Sequence, residues 1–212
     1  MIFITSKHTN KMEDMMSLNT STVKNPFCIK AGKTDTICKI CYARNLEKFY
    51  GHGVGHIPSY VKNGKILSTK LLSNEELISI IRKFKDKDII RFHAYGELIN
   101  IVHLYNYLNI ARKSPDKIFA LWSKRVDLIK NIKDIKPKNL ITIYSTPRID
   151  VMKPIIPDGF DKVFSVYSRN FAKENKIKIN CGGKKCNICR SCYKINGTKY
   201  INELIKREKK SE

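Results

Sequence analysis

The sequence predicts an α/β protein built around a parallel sheet, because short apolar runs alternate along the chain with segments of helical periodicity. The apolar runs are nearly continuous, as expected for strands that are buried on both faces. The chain has 212 residues, of which 42% are hydrophobic, so it can form one domain with a packed core. We therefore expect a sheet covered by helices.

The strands are predicted from apolar runs that end in polar or glycine-containing turns. These runs cover residues 16–20, 89–93, 118–122, 140–144, 163–167 and 177–179. Polar or basic clusters follow four of the strands, at residues 93–97, 123–125, 145–146 and 168–169. Because parallel βα units place function at the carboxyl ends of their strands, we expect these clusters to share one rim.

The helices are predicted from start signals and apolar spacing. Ser73 and Glu76 have the spacing of a capping box, and apolar residues follow them at helical intervals. Residues 98–113 carry their apolar side chains on one side of a helix. Shorter helices are predicted at 43–50 and 126–132, and a terminal helix from 201 onward. The cysteine-bearing segment 25–42 and the glycine-containing segment 51–65 are predicted to be loops.

The composition points to a soluble, basic protein. No apolar run approaches the roughly 20 residues that span a bilayer, and the first residues lack the features of a signal peptide. We therefore expect a cytoplasmic protein, in the host cytoplasm if it is phage-encoded, with no membrane partner. Lys and Arg number 41 against 19 Asp and Glu, a formal charge of +22, which would attract nucleic acid or a nucleotide. The Lys-rich, Ile-rich composition of AT-rich genomes is an alternative source of this charge.

The seven cysteines fall into two groups with the spacing of metal ligands. In an intracellular chain they are expected to be reduced, and an odd number cannot all form disulfides. Cys28, Cys38 and Cys41 have the spacing C-x9-C-x2-C. Three thiolates suit a 4Fe–4S cluster with one open iron, or zinc with a fourth ligand such as His52 or His56.

The second group is denser. Its spacing is C-x4-C-x2-C-x2-C, and its members are Cys181, Cys186, Cys189 and Cys192. The C-x2-C-x2-C run is typical of ferredoxin-type clusters, whereas zinc ligand pairs are usually separated by a longer loop. A structural zinc site stays the main alternative. The spacing leaves open whether the two groups bind separately or share ligands around one centre.

Three segments of the chain resemble radical SAM enzymes. Residues 38–43 (CKICYA), preceded by Cys28, resemble the cluster loop, although the family's usual spacing is C-x3-C-x2-C. Residues 91–98 (RFHAYGEL) resemble the strand that ends in a Gly-Glu motif, and residues 119–125 (FALWSKR) resemble the next strand with its polar end. The cysteine-rich run 181–193 is similar to the terminus of a bacteriophage protein family.

The resemblance implies a fold, a cofactor set and roles for named residues. The fold would be a parallel-stranded partial (β/α) barrel over residues 1–180, with an irregular segment at 181–212 that carries a cluster and a C-terminal helix packed on the same domain. One or two 4Fe–4S clusters would be held by the seven cysteines. S-adenosylmethionine would be contacted by Gly96 and Glu97, and by Ser123, Lys124 or Ser145 from neighbouring strand ends.

The resemblance also implies an enzyme. It would cleave S-adenosylmethionine with one electron, from a donor such as a flavodoxin or ferredoxin, to modify a nucleotide, nucleic acid or protein. Two alternatives stay open. One is a zinc-stabilised basic phage protein that binds nucleic acid without catalysis. The other is a barrel that keeps its clusters for structure and has lost the reaction.

Overall fold

The computed structural model describes residues 1–5, 8, 10–84, 87–195 and 197–206. The strands are β1 (Met16–Leu18), β2 (Ile89–Phe92), β3 (Ile118–Ser123), β4 (Leu140–Ser145), β5 (Lys162–Tyr167) and β6 (Tyr200–Leu204). The α-helices are α1 (Pro26–Ala31), α2 (Tyr42–Tyr50), α3 (Pro58–Thr69), α4 (Asn74–Ile81), α5 (Ile101–Arg112), α6 (Val126–Ile129), α7 (Arg169–Glu174) and α8 (Cys186–Cys189). Short 3-10 turns lie at Asn10–Met12, Ile37–Ile40, Arg82–Phe84, Lys130–Ile132 and Ser191–Tyr193.

The six strands form one sheet in which every neighbouring pair is parallel. Their spatial order follows the chain from β1 to β6, and the described residues do not close the sheet into a ring. Parallel crossovers are almost always right-handed, so strands added in one direction place their connecting helices on the same face. The predicted α/β class and parallel sheet are therefore confirmed, and the sheet is open.

The alternation of side chains along the central strands separates two apolar layers. Phe119 and Leu121 of β3 belong to the larger layer, which also contains residues of α3, α4, α5 and α6. Ala120 and Trp122 of the same strand belong to a smaller layer on the other face. We call the face that carries the smaller layer the inner face.

The inner face is covered by the cysteine-rich segment rather than by a long helix. Tyr193 is buried against it, and its ring centroid lies 5.8 Å from that of Trp122. Cys181, Cys186 and Cys192 pack against the same layer. This segment therefore contributes to the core, and its position decides where four of the cysteines lie.

Several segments differ from their sequence prediction. The predicted loop at 51–65 is wrong in its second half, because α3 begins at Pro58, a residue well suited to the first turn of a helix. The predicted terminal helix is wrong at its start, because residues 200–204 form β6 and Ile201 is buried opposite Phe164 of β5. Residues 207–212 of that helix lie outside the described residues. Residues 177–179 form no regular strand, although Cys181 just beyond them makes one bridge to β6.

The other predicted strands and helices agree with the structure to within three residues, whereas α1 lies inside the predicted loop at 25–42, and α7 and α8 were not predicted. The capping box is present, since the Ser73 hydroxyl accepts from the Glu76 amide and the Glu76 carboxylate accepts from the Ser73 amide. Within the described part of the chain, no helix combines the length and the apolar character that a membrane crossing requires.

Candidate functional site

A cavity of about 390 Å³ opens at the carboxyl edge of the sheet and extends down its inner face. This volume lies within the range of small-molecule and cofactor sites. Six of the seven cysteines line it: Cys28, Cys38, Cys41, Cys181, Cys186 and Cys192. We call Cys28, Cys38 and Cys41 the rim cysteines, and Cys181, Cys186, Cys189 and Cys192 the floor cysteines.

The rim cysteines are carried by three short helices in succession. Cys28 lies in α1, which Asn25 caps by accepting hydrogen bonds from the amides of Phe27 and Cys28. Cys38 lies in the 3-10 turn that Thr36 caps, and Cys41 is the residue immediately before α2. The nine-residue gap between the first two cysteines therefore contains the end of one helix and the start of another. It brings three thiols from separate turns to one side of the cavity.

The charges around the rim cysteines act in opposite directions. Burial raises the pKa of the Cys28 and Cys38 thiols, and the carboxylate of Glu97 adds to the effect at Cys28. The ammonium group of Lys124 opposes this rise at both thiols. Cys41 lies at the N-terminus of α2. A bound metal would displace the thiol protons in any case.

Gly96 is the residue at which the turn after β2 meets the turn after β1. Its φ angle is +89°, and a Cβ atom there would lie 2.1 Å from the Thr20 hydroxyl oxygen and 2.5 Å from the Thr20 carbonyl oxygen. No other residue fits this position without moving the backbone. Gly96 therefore permits the close contact that places the following residue, Glu97, in the cavity wall.

Glu97 is buried and holds the ends of β2 and β3 together. One carboxylate oxygen accepts hydrogen bonds from the Ser123 hydroxyl at 2.7 Å and the Leu98 amide at 2.9 Å, and the other accepts from the Lys124 amide at 2.7 Å. Burial raises the pKa of Glu97, although these hydrogen bonds and the Lys124 charge oppose the rise. The Lys124 ammonium donates to the Ser145 hydroxyl at 2.8 Å, which extends the network to β4.

The structure therefore brings all five predicted cofactor-binding residues to the cavity wall beside the rim cysteines. These residues are Gly96, Glu97, Ser123, Lys124 and Ser145. By contrast, His52 and His56, the candidate fourth ligands for zinc, do not line the cavity. His56 instead bonds through Nδ1 to the Val54 carbonyl oxygen at 2.8 Å.

A second buried carboxylate supports the rim and was not predicted. Glu47 of α2 is fully buried and accepts hydrogen bonds from the Ser21 hydroxyl at 2.6 Å and from the Thr22 amide at 2.6 Å and hydroxyl at 2.5 Å. It joins α2 to the turn after β1. In the sequence, Glu47 is one charged residue in a short amphipathic helix, and nothing there distinguishes it from a solvated one.

The floor cysteines are positioned by packing and by ion pairs at Lys11, Lys185 and Arg190. Lys11 donates to the Cys181 sulfur at 3.0 Å and to the Glu203 carboxylate at 2.5 Å. Burial alone would lower the pKa of Lys11, but these two partners raise it above its usual value. Burial also raises the pKa of Cys186, and that of Cys192 to about 12. Cys189, which does not line the cavity, has its pKa lowered by a hydrogen bond from Ser191.

Arg91 is the second functional candidate that the sequence analysis missed. It lies in the middle of β2, with its guanidinium carbon 3.9 Å from the centre of the Trp122 ring, and it lines the cavity. No ion pair of Arg91 is found among the described residues. Burial raises the pKa of Cys186 and Cys192, and the charge of Arg91 opposes that rise. A basic residue between Ile90 and Phe92 is the one signal that could have identified it.

His93 lies below the rim in a buried aromatic group. Its Nε2 is 3.1 Å from the Tyr107 hydroxyl, and its ring meets that of His103 edge-on. Burial lowers the pKa of His93 to about 3 and lowers that of His103 well below its usual value. Both imidazoles are therefore neutral at physiological pH, and they pack the wall behind the cavity.

The fit of the cysteines to a metal or cluster rests on their number and surroundings. All seven thiols are free and half-buried. Within the residues that the structure describes, no three His, Cys, Asp or Glu side chains converge closely enough to hold a single metal ion. Six of the thiols instead line a cavity that is large enough for a multi-atom group. The wall of this cavity also carries the cationic side chains of Arg91 and Lys124. This donor set matches a thiolate-bound cluster in chemistry.

Comparison with known proteins assigns a family. No curated protein and no solved structure gives a significant match. A family model described as Gene product 88 matches residues 5–211, nearly the whole chain. The name is of the kind given to phage gene products, and this agrees with the predicted bacteriophage family. The chain belongs to the Gene product 88 family.

Proposed function

We propose that this protein is a radical-SAM-like iron–sulfur enzyme. The observation that carries the proposal is the shared cavity, in which three rim cysteines stand beside the Gly96–Glu97 turn at the carboxyl edge of a parallel sheet. The winding of the sheet supports it. Strands in sequential order, with α3 to α6 on one face, are what a partial (β/α) barrel requires.

In this proposal the rim cysteines would hold a 4Fe–4S cluster with one iron free for S-adenosylmethionine. Three thiolates are the number that leaves such a position open. The cluster and the bound S-adenosylmethionine together would supply one-electron cleavage of the carbon–sulfur bond of S-adenosylmethionine. Lys124 would offset the negative charge of the thiolates, as its effect on Cys28 and Cys38 indicates.

The strand-end network would bind the amino-acid part of S-adenosylmethionine. One Glu97 oxygen accepts a single hydrogen bond within the chain, so it retains capacity to accept one from an ammonium group. Lys124, with Ser145 as its hydroxyl partner, would pair with a carboxylate or ribose oxygen. Ser123 donates to Glu97, so its role would be to orient that carboxylate.

The floor cysteines would hold a second cluster. Their packing on the inner face and the nearby charges of Arg91 and Lys11 would stabilise a thiolate-bound anion there. Because both groups border one cavity, an electron from a flavodoxin or ferredoxin could pass from the floor to the rim.

The second candidate is a zinc-stabilised basic protein that binds nucleic acid without catalysis. The floor cysteines favour it, because four thiolates also complete a structural zinc site. This candidate gives no role to the Gly96–Glu97 turn beside the rim cysteines.

Metal analysis and product formation separate the two candidates. Protein purified without oxygen should be brown, with several iron and sulfide per chain. With a reductant and S-adenosylmethionine it should form 5′-deoxyadenosine, and Cys38→Ala should abolish that product. Colourless protein with stoichiometric zinc and no iron would reject the proposal. Intact clusters without cleavage or binding of S-adenosylmethionine would favour a non-catalytic barrel.

A further inference from the structure

Helix α2, whose first residue lines the cavity, exposes three aromatic side chains. Tyr42 is 49%, Phe49 74% and Tyr50 48% exposed, and Tyr42 also lines the cavity. Tyr95 lines the cavity as well; burial raises its pKa, and the neighbouring hydroxyl groups of Tyr42 and Tyr50 add to the rise. We call Tyr42, Phe49, Tyr50 and Tyr95 the aromatic lip.

The fold does not account for the exposure of these rings. Phe49 and Tyr50 meet each other edge-on at 5.2 Å, yet both present about half or more of their surface to solvent. Exposed apolar groups gathered in one place on a soluble protein usually mark a binding surface. Rings also lose little conformational freedom on contact, so they suit a ligand that is held by stacking.

The charges around the aromatic lip are positive. Lys206 lies with its ammonium 4.4 Å from the centre of the Tyr42 ring, and Lys48 is exposed between Glu47 and Phe49. Glu47, the single acidic residue of α2, is buried against Ser21 and Thr22. The exposed face of α2 therefore carries rings and cations without an acidic group.

We propose that the aromatic lip binds single-stranded nucleic acid. Every base has a flat face that can stack on a ring, and the backbone phosphates would pair with the neighbouring lysines. The chain's formal charge of +22 disfavours a second copy as the occupant. An acidic peptide would use the lysines but would leave three exposed rings unexplained.

The position of the lip gives this binding a consequence, which rests on the proposed function. Because Tyr42 lines the same cavity as the rim cysteines, a strand on the lip would pass over the site where the reaction is proposed to occur. Single-stranded nucleic acid would then be the substrate class, and one unstacked nucleotide would face the cavity.

Fluorescence anisotropy with a labelled single-stranded oligonucleotide of about 12 nucleotides tests the proposal, since such a length fits known stacking sites. The test variant is Phe49→Ala combined with Tyr50→Ala, two exposed positions that lie outside the cavity lining. We expect affinity to fall about tenfold for each ring removed, while the dependence of the dissociation constant on salt keeps its slope. Lys48→Ala should instead reduce that slope.

The matched control is Tyr200→Ala, which removes a ring of similar exposure (45%) at the amino end of β6. This position lies away from the carboxyl edge where the cavity opens, so the substitution should leave binding unchanged. Thermal melting of each variant checks that the fold is kept. Unchanged affinity in the double variant would overturn the proposal, as would equal binding of a duplex. The proposal would also be overturned if oligo-glutamate displaced the labelled strand as effectively as an unlabelled oligonucleotide of the same charge. The same holds if the wild-type protein is a dimer and the double variant is a monomer.

Iron content and 5′-deoxyadenosine formation, measured on the same preparation, keep this test separate from the proposed function. A wild-type protein that cleaves S-adenosylmethionine but does not bind the strand would reject the proposed role of the aromatic lip alone. Ring-dependent binding by colourless protein would reject the enzyme alone.

Discussion

The rim and floor cysteines line one cavity but are held in place by different means. The rim cysteines depend on local structure, namely three short helices with caps at Asn25 and Thr36. The floor cysteines depend on distant partners, because they pack on the inner face through Trp122 and Tyr193. Substitution of the rim cysteines should therefore alter the chemistry alone, whereas substitution of the floor cysteines should alter both the chemistry and the stability of the fold.

The largest expected difference comes from removing the cysteines themselves. Cys38→Ala with Cys41→Ala should lose about four iron per chain and all 5′-deoxyadenosine formation, with little change in melting temperature. Cys186→Ala with Cys192→Ala should lose a similar amount of iron and melt at a lower temperature, because these side chains pack in the core. Iron and sulfide assays with thermal melts measure both. Loss of all iron in either variant would show that the two groups share one centre.

Gly96 tests how far the rim depends on one close contact. Gly96→Ala should reduce the free energy of unfolding by about 3 kcal/mol, because the new Cβ meets Thr20 and the φ angle is positive. Gly53→Ala is the matched control, since its φ is +85° but nothing lies within 4 Å, and it should cost about 1 kcal/mol. Urea unfolding measures both variants. Equal losses would mean that the contact with Thr20 is not tight.

Acid should weaken the buried aromatic group behind the cavity, which contains His93 and His103. Burial lowers the pKa of His93 to about 3 and also lowers that of His103, so between those values and the unfolded pKa of 6.5 the unfolded chain binds more protons. The free energy of unfolding should thus be constant above about pH 6.5 and fall by about 2 kcal/mol from pH 6.5 to pH 5 through His93, with a further fall through His103.

The variant His103→Gln isolates this effect. Urea unfolding at several pH values should show a shallower decline than in the wild type, because one buried imidazole is gone. His52→Asn is the control, since His52 is exposed, and it should leave the decline unchanged. A decline of equal steepness in His103→Gln would contradict the role of burial.

Arg91 is expected to give the smallest effect, and one confined to the floor. Arg91→Gln removes the stacking on Trp122 and should cost about 1 kcal/mol of unfolding free energy. It should also make the floor cluster harder to reduce, because a positive charge near Cys186 and Cys192 is lost. A redox titration followed by electron paramagnetic resonance would detect this. Equal shifts in the reduction potentials of the two proposed clusters would mean that Arg91 acts on both cysteine groups and not on the floor cysteines alone.

The sheet was predictable because its strands are apolar runs, and burial on both faces requires that composition. Helix α3 was missed because glycines such as Gly64 are more typical of loops than of helix interiors. In the fold, Gly64 lets α3 pack closely against Ile99, since a Cβ atom at Gly64 would lie 3.2 Å from the Ile99 side chain. Strand β6 was missed because pairing with β5, a long-range event, decides its conformation over a helical sequence pattern.

The residues of the candidate site were predictable, but their arrangement was not. Cysteine spacing identified both groups, and the polar strand ends identified Glu97 and Lys124. That both groups border one cavity depends on the cysteine-rich segment folding back onto the inner face, which no local pattern encodes. The same holds for Arg91 and Glu47, whose importance comes from burial rather than from sequence position.

Strand β6 has a consequence for the timing of assembly. It follows the floor cysteines in the chain, and its pairing with β5 and its bridge to Cys181 fix the end of that segment. The hydrogen bonds described for the rim turns lie within residues 20–147, so all of their groups are synthesised before β6. We therefore expect the three rim thiols to become ordered before the other four during synthesis.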